Sequence, residues 1–152
     1  MPTDTFKSDL TGLFPTAVPD EKGQYFTVSI DPENSHRLIS YLKNEAQPHF
    51  GKLACLSGVD WLTHIEVVYH LDALDTNETI VVKSRIADRE NPCTDSISDL
   101  WKGADLLECE VYDFFGVHFN HHPFLRRLFL GEEWTGYPLR KDYVDEINMI
   151  TL

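Results

Sequence analysis

A chain of 152 residues, 42% of them hydrophobic, carries enough apolar material for one compact core and little more. Its 13 Lys and Arg residues stand against 25 Asp and Glu, a net charge of −12 with His neutral, which argues against general affinity for nucleic acid or anionic lipid, since both recruit basic surfaces. No run approaches the roughly 20 apolar residues that span a bilayer, and the start MPTDTFKSDL lacks a signal-peptide core, so a cytosolic chain with only indirect membrane contact is expected.

Residues 1–24 read as a lead-in, loosely held or folded into a single short helix. From Tyr25 to Ile30, Phe26, Val28 and Ile30 alternate with Tyr25, Thr27 and Ser29, the period of a strand with one buried face. Asp31-Pro32 offers an N-cap followed by proline at the first helical position, and Leu38, Ile39, Leu42 and Ala46 share one face of a helix running to about Gln47. Strands are expected over Leu53 to Asp60, His64 to Leu74 and Glu78 to Ile86. Their short connections require antiparallel pairing. Thr94 to Ser96 are placed to cap a short helix through Trp101, and a second helix runs from Ala104 to Phe115, stopped by Gly116. The order β-α-β-β-β-α-α predicts an α+β fold, a mainly antiparallel sheet with helices on one face. The domain reading is a lead-in over 1–24, the α+β domain over 25–119 and an extended irregular partner-binding tail over 120–152.

Cys55, Cys93 and Cys109 lie far apart with no CxxC spacing, so neither a disulfide framework nor a zinc or iron–sulfur site is signalled. Basic residues are unevenly placed: Arg126, Arg127, Arg140 and Lys141 supply four of the 13 within a span of sixteen. On the second helix Glu110 and Asp113 are three apart, Glu108 lies further round, and Leu107, Val111 and Phe114 form an apolar stripe. After the His122-Pro123 turn, Arg126 and Arg127 are expected to pair with those carboxylates, because a guanidinium fork matches a carboxylate in two places. Such pairing pins the tail to the helix.

Other chemistries fit these residues less well. Glu108, Glu110 and Asp113 as a general acid/base set would make a hydrolase, but helical carboxylates are more often solvated or salt-bridged. His118, His121 and His122 as metal ligands lack supporting Cys or acidic spacing. A phosphate cradle needs a glycine-rich loop between strand and helix, and Gly131 and Gly136 are isolated. Trp134, Tyr137 and Tyr143 lie among arginines, the residue types enriched at protein–protein hot spots.

Two blocks carry a resemblance. Glu108, Glu110, Asp113, Phe114, Phe115, His122, Arg126 and Leu128 match the signature of the thirty-kilodalton subunit family of NADH:quinone oxidoreductase (respiratory complex I). The run Glu133-Trp134-Thr135-Gly136-Tyr137-Pro138-Leu139-Arg140-Lys141-Asp142-Tyr143 is similar to the same family's ending. Cys109 stands where the family usually has arginine between the two glutamates. The resemblance implies an α+β scaffold without catalytic, cofactor or metal residues, packed on the quinone-site subunit of the peripheral arm, on the cytoplasmic side of the inner (plasma) membrane. FMN and iron–sulfur clusters would sit in neighbouring cluster-bearing subunits. Tyr137 and Trp134 are then expected to anchor a partner, with Arg126, Arg127, Arg140 and Lys141 as charged clamps. An equivalent subunit of a membrane-bound hydrogenase or related dehydrogenase, a stand-alone hydrolase and a free acidic binding module remain as rivals.

Overall fold

The computed structural model describes residues 3–147. Of the two readings of the lead-in, a helix is observed: α1 spans Asp4–Leu13, and Thr3 Oγ1 caps it by accepting the Phe6 N–H. Phe6, Leu10, Phe14 and Ala17 are buried in the main core. The chain continues through β1 (Val18–Asp20), β2 (Phe26–Ile30), α2 (Pro32–Asn44), β3 (Lys52–Asp60), β4 (Ile65–Ala73), β5 (Glu78–Ile86), β6 (Cys93–Asp95), α3 (Ala104–Phe115) and β7 (His118–Asn120).

The main sheet has the order β1-β2-β5-β4-β3. The three long strands pair antiparallel as expected. The first predicted strand, β2, runs parallel to β5, which makes the sheet mixed. The intervening α2, β3 and β4 supply the long crossover that parallel pairing needs. In register, Val28, Val82, Tyr69 and Leu56 form one row across four strands, all buried. The next row, Thr27, Val81, His70 and Cys55, looks the other way and ends exposed at Cys55. The helices supply Leu10, Leu38, Ile39, Leu42 and Val111 to the same core as the first row. A single apolar layer therefore lies between sheet and helices.

Three local expectations need correction. Asp31 is the N-cap residue of α2 with Pro32 following it, as expected, but its side chain makes no capping bond; the carboxylate accepts from Thr16 Oγ1 and, at 2.6 Å, from Asn34 Nδ2, tying the loop after α1 to the start of α2. The short helix expected through Trp101 does not form. Cys93–Asp95 is strand β6, paired parallel with β7, a strand absent from the predicted order. The would-be capping hydroxyls are consumed in the tertiary structure: Thr94 Oγ1 lies 3.0 Å from Ser35 Oγ and 3.3 Å from Ser84 Oγ, and Ser96 Oγ donates to Glu108. The helix from Ala104 to Phe115 stands as predicted, ended by Gly116 in the left-handed region at φ 73°. No helix of the described residues is long and apolar enough to cross a membrane.

Candidate functional site

The signature residues assemble around α3. Asp113 is fully buried, and its carboxylate accepts four hydrogen bonds. Oδ1 receives Arg127 Nη1 at 3.0 Å, while Oδ2 receives the backbone N–H groups of Phe129 (2.8 Å), Leu128 (3.0 Å) and Leu130 (3.2 Å). Burial works against ionisation here, but the Phe129 N–H, the Arg127 guanidinium and the Leu130 and Leu128 N–H groups outweigh it and hold the carboxyl below its ordinary range. Arg127 also reaches Asp113 O, Trp134 O and Gly136 O, so one guanidinium gathers helix and tail.

The rest of the tail is fastened in the same way. Arg140 Nε donates 2.6 Å to Phe115 O, satisfying a helix-end carbonyl, and its Nη1 donates to Arg89 O. Tyr137 lies between two cations, its ring 5.1 Å from Arg127 and 5.0 Å from Arg140, and packs against Gly116. Asp60, at the end of β3, accepts from Arg89 Nη2 (2.8 Å), the Lys141 N–H (2.9 Å) and the Leu62 N–H (2.8 Å). Burial opposes the charge on Asp60, yet the Lys141 and Leu62 N–H groups and Arg89 prevail and its carboxyl is held low. Arg89 bridges on to Asp142 at 3.1 Å, and that contact lowers the Asp142 carboxyl in turn. Neither Asp60 nor Arg89 stands out in the sequence. For Asp60 a signal existed: the alternation of β3 puts it on the buried face with Leu56.

Glu108 and His122 form a second buried set. Glu108 accepts the Ile97 N–H at 2.7 Å and the Ser96 hydroxyl at 2.6 Å, with His122 Nε2 3.7 Å away. Burial raises its carboxyl above the usual range, against the lowering effects of Ser96, the Ile97 N–H and His122. Glu108→Gln keeps an oxygen for Ile97, turns an amide toward Ser96 and removes the buried charge, so stability is expected to hold or rise by about 1 kcal/mol. Glu108→Ala strips both donors of their acceptor and is expected to lose about 2–3 kcal/mol. Thermal melts decide this, and equal losses in both variants would show that the charge itself is required.

Not all predicted contacts form. Arg126 pairs with no helix carboxylate; its Nη1 donates to Phe124 O and its guanidinium stacks 4.9 Å from the Phe124 ring. Glu110 is exposed and makes no ion pair among the described residues. Lys141 Nζ lies 5.9 Å from the Trp61 ring, while Trp134 and Pro138 are half-buried. His118 and His121 are exposed, and only His122 turns inward.

One grouping of metal-ligand types occurs among the described residues: Asp105, Cys109 and His122. Its hydrogen bonds do not suit a cation. The Phe124 N–H donates 3.0 Å to His122 Nδ1, so the ring proton is on Nε2, 3.1 Å from both Asp105 Oδ1 and Asp105 O. That tautomer leaves no lone pair on the nitrogen facing Cys109 and Asp105. Burial also pushes the Cys109 thiol up, away from the thiolate a metal prefers.

Residues 28–147 match the family described as the respiratory-chain NADH dehydrogenase, 30 Kd subunit. The chain belongs to this family. Among its relatives in the 30 Kd family, the C/D subunit of NADH-quinone oxidoreductase from Phocaeicola vulgatus is 44% identical over 126 residues, covering 82% of this chain and 24% of the relative. The C-type subunit of NADH-quinone oxidoreductase from Roseiflexus sp. is 38% identical over 119 residues, 76% of this chain and 68% of that protein. The chain thus spans about a quarter of the C/D relative and two thirds of the C-type one. A chain of the membrane-bound sulfane sulfur reductase, an archaeal respiratory membrane complex, superposes with a TM-score of 0.77 at 23% identity, over 95% of this chain and 86% of that one. This last likeness establishes the fold alone.

Proposed function

We propose that this chain is a non-catalytic structural subunit of a proton-pumping NADH:quinone oxidoreductase. In this reading it packs on the quinone-site subunit of the peripheral arm, on the cytoplasmic side of the membrane. FMN and iron–sulfur clusters are held by its neighbours, and electrons pass outside this chain. Family membership supports the assignment. The observation that carries the scaffold role is how the family's charged signature is used. Asp113, Arg127, Arg140 and Asp142 are occupied in fastening residues 124–143 to α3 and to the end of β3, the use a structural role calls for.

The fastened tail exposes apolar side chains that have no place in the chain's own core. Phe124 is 67% exposed, Phe129 68%, Leu139 54%, and Leu106 on α3 55%. Phe129 is held in position by stacking on Phe114 at 5.5 Å, and the Leu139 N–H is fixed to Phe114 O. Rigid, exposed aromatic groups of this kind suit the centre of a protein interface. Tyr137 and Arg127, expected from sequence to grip the partner, also hold the platform that presents these groups.

The test is co-purification. Tagged chain expressed in its native host and isolated gently should carry the quinone-site subunit and NADH-oxidising subunits, with NADH:quinone activity in the preparation. Phe129→Ala should cost only about 1 kcal/mol of stability, through loss of the stack on Phe114, and lower recovery of the quinone-site subunit by roughly tenfold or more. Recovery of hydrogenase subunits would move the chain to another assembly, and a stable chain without partners would end the scaffold reading.

A further inference from the structure

At the end of α3 far from Gly116, the start of β3 and the turn before α3 enclose a cleft of about 450 Å³, lined by Gly51, Lys52, Leu53, Trp101, Lys102 and Leu107 together with Leu100 and Gly103. Its floor is apolar, and Trp101 is fixed in the wall by its Nε1–H bond to Gly51 O at 2.9 Å. No carboxylate lines it, although acidic residues outnumber basic ones 25 to 13 in the whole chain. Lys52 and Lys102 are among the lining residues, but Lys52 Nζ already pairs with Asp72 at 3.2 Å, and Lys43 Nζ lies 4.7 Å from the Trp101 ring and is bonded to Leu100 O. Lys102 is exposed and makes no ion pair among the described residues. The positive end of the α3 dipole adds to this local field. β3 is the last strand of the main sheet, so the backbone at Lys52 and Leu53 has a side that no strand of the sheet covers.

From these observations we infer that the cleft docks an acidic, apolar-centred peptide segment of a neighbouring subunit, one or two Leu, Ile, Met or Phe side chains flanked by Asp or Glu. The apolar residues fill the cleft over Trp101, Leu53 and Leu107, and a flanking carboxylate meets Lys102, the lining lysine that no carboxylate of the described residues neutralises. The free side of β3 is open to backbone pairing with the same segment, the way extended peptides add to a sheet edge. A peptide fits better than a lipid surface, because the site offers one unpaired lysine beside an apolar floor rather than a broad basic face, and the chain as a whole repels anionic membranes. The inference rests on the scaffold role proposed above, since it needs an assembled neighbour.

Gly103 is the point at which to test it, because a Cβ placed there meets no atom within 4 Å. The photo-crosslinker p-benzoylphenylalanine at Gly103, in the complex assembled and purified from the native host, should on illumination join one neighbouring subunit. The joined peptide, mapped by mass spectrometry, should contain apolar residues flanked by carboxylates. Adding Lys102→Glu should cut the crosslink yield by roughly fivefold or more, with co-purification of the core partners unchanged. Crosslinks to lipid, to a basic or uncharged segment, or to nothing while the partners still co-purify would overturn the cleft assignment. Failure of co-purification in the unaltered chain would instead count against the scaffold role itself. Lys102→Glu should likewise weaken the protection that the neighbour gives Trp101 against carbene footprinting in the complex. Unchanged protection would overturn the proposal.

Discussion

Asp113→Ala should destabilise the chain by about 3–5 kcal/mol, the scale seen when one partner of a buried ion pair is removed. The substitution leaves the Arg127 guanidinium and the Leu128, Phe129 and Leu130 N–H groups without their common acceptor. Residues 128–141 should then leave α3 while the sheet stays intact. Urea unfolding should show a lower midpoint, and hydrogen exchange should show fast amides at Leu128, Phe129 and Leu130. An unchanged midpoint with those amides still protected would refute the role assigned to Asp113. The pH dependence carries a second check. Asp113 has a folded-state pKa below its unfolded value, so the stability it contributes is complete above the ordinary carboxylate pKa and is lost as pH falls through the lower, folded value. Asp60 and Asp142 act in the same direction. Glu108 acts in the opposite one: its pKa is raised by burial, so with respect to that group stability falls as pH climbs from the unfolded value toward the folded one. With Asp113 gone, the acid side of the stability–pH curve should become shallower.

Gly116→Val should cost about 3 kcal/mol through two independent effects, backbone strain and overpacking. Gly116 ends α3 at φ 73°, a conformation a β-branched residue adopts only with strain. A Cβ at this site would also lie 2.5 Å from the Tyr137 ring, which is held in place by the two arginines. The ring must move, and with it the Arg140 bond to Phe115 O. Helix content measured by circular dichroism should stay within a few residues of the parent, whereas exchange at Leu139 and Arg140 should accelerate. Gly116→Asn, compatible with the left-handed region but not with the ring, separates the two effects. If Asn restores full stability, the contact with Tyr137 is not what limits this position.

Both predictions concern the same device, a tail without regular structure locked onto a helix by charged groups. How much of that device can be read from sequence varies by residue. The Arg127–Asp113 pair is legible, because an arginine after a turn and a carboxylate on a preceding helix are natural partners. The identical reasoning fails for Arg126, which is its neighbour in sequence but points toward Phe124. Glu110 and Asp113 look equivalent on a helical wheel. One is exposed and the other carries four hydrogen bonds in a fully buried site. Thr94 and Ser96 have the right chemistry for a helix cap and are used in the core instead, by Ser35, Ser84 and Glu108.

The sequence by itself determined the local periodic structure: β2 and the three long strands, the buried faces of α2 and β4, the extent of α3 and its stop at Gly116. It also determined the family, through two motifs at a set separation. These features depend on residues a few positions apart, where alternation or helical spacing reports burial directly. Only the tertiary structure decided the parallel pairing of β2 with β5, the β6–β7 pair, and which carboxylates are interior. The physical reason is that α3 is covered on more than one side, by the sheet, by the segment after β6 and by the aperiodic tail. A hydrophobic period can mark only the first of these. A charge survives inside the others because Ser96, the Ile97 N–H, Arg127 and the tail amides arrive from elsewhere in the chain to receive it.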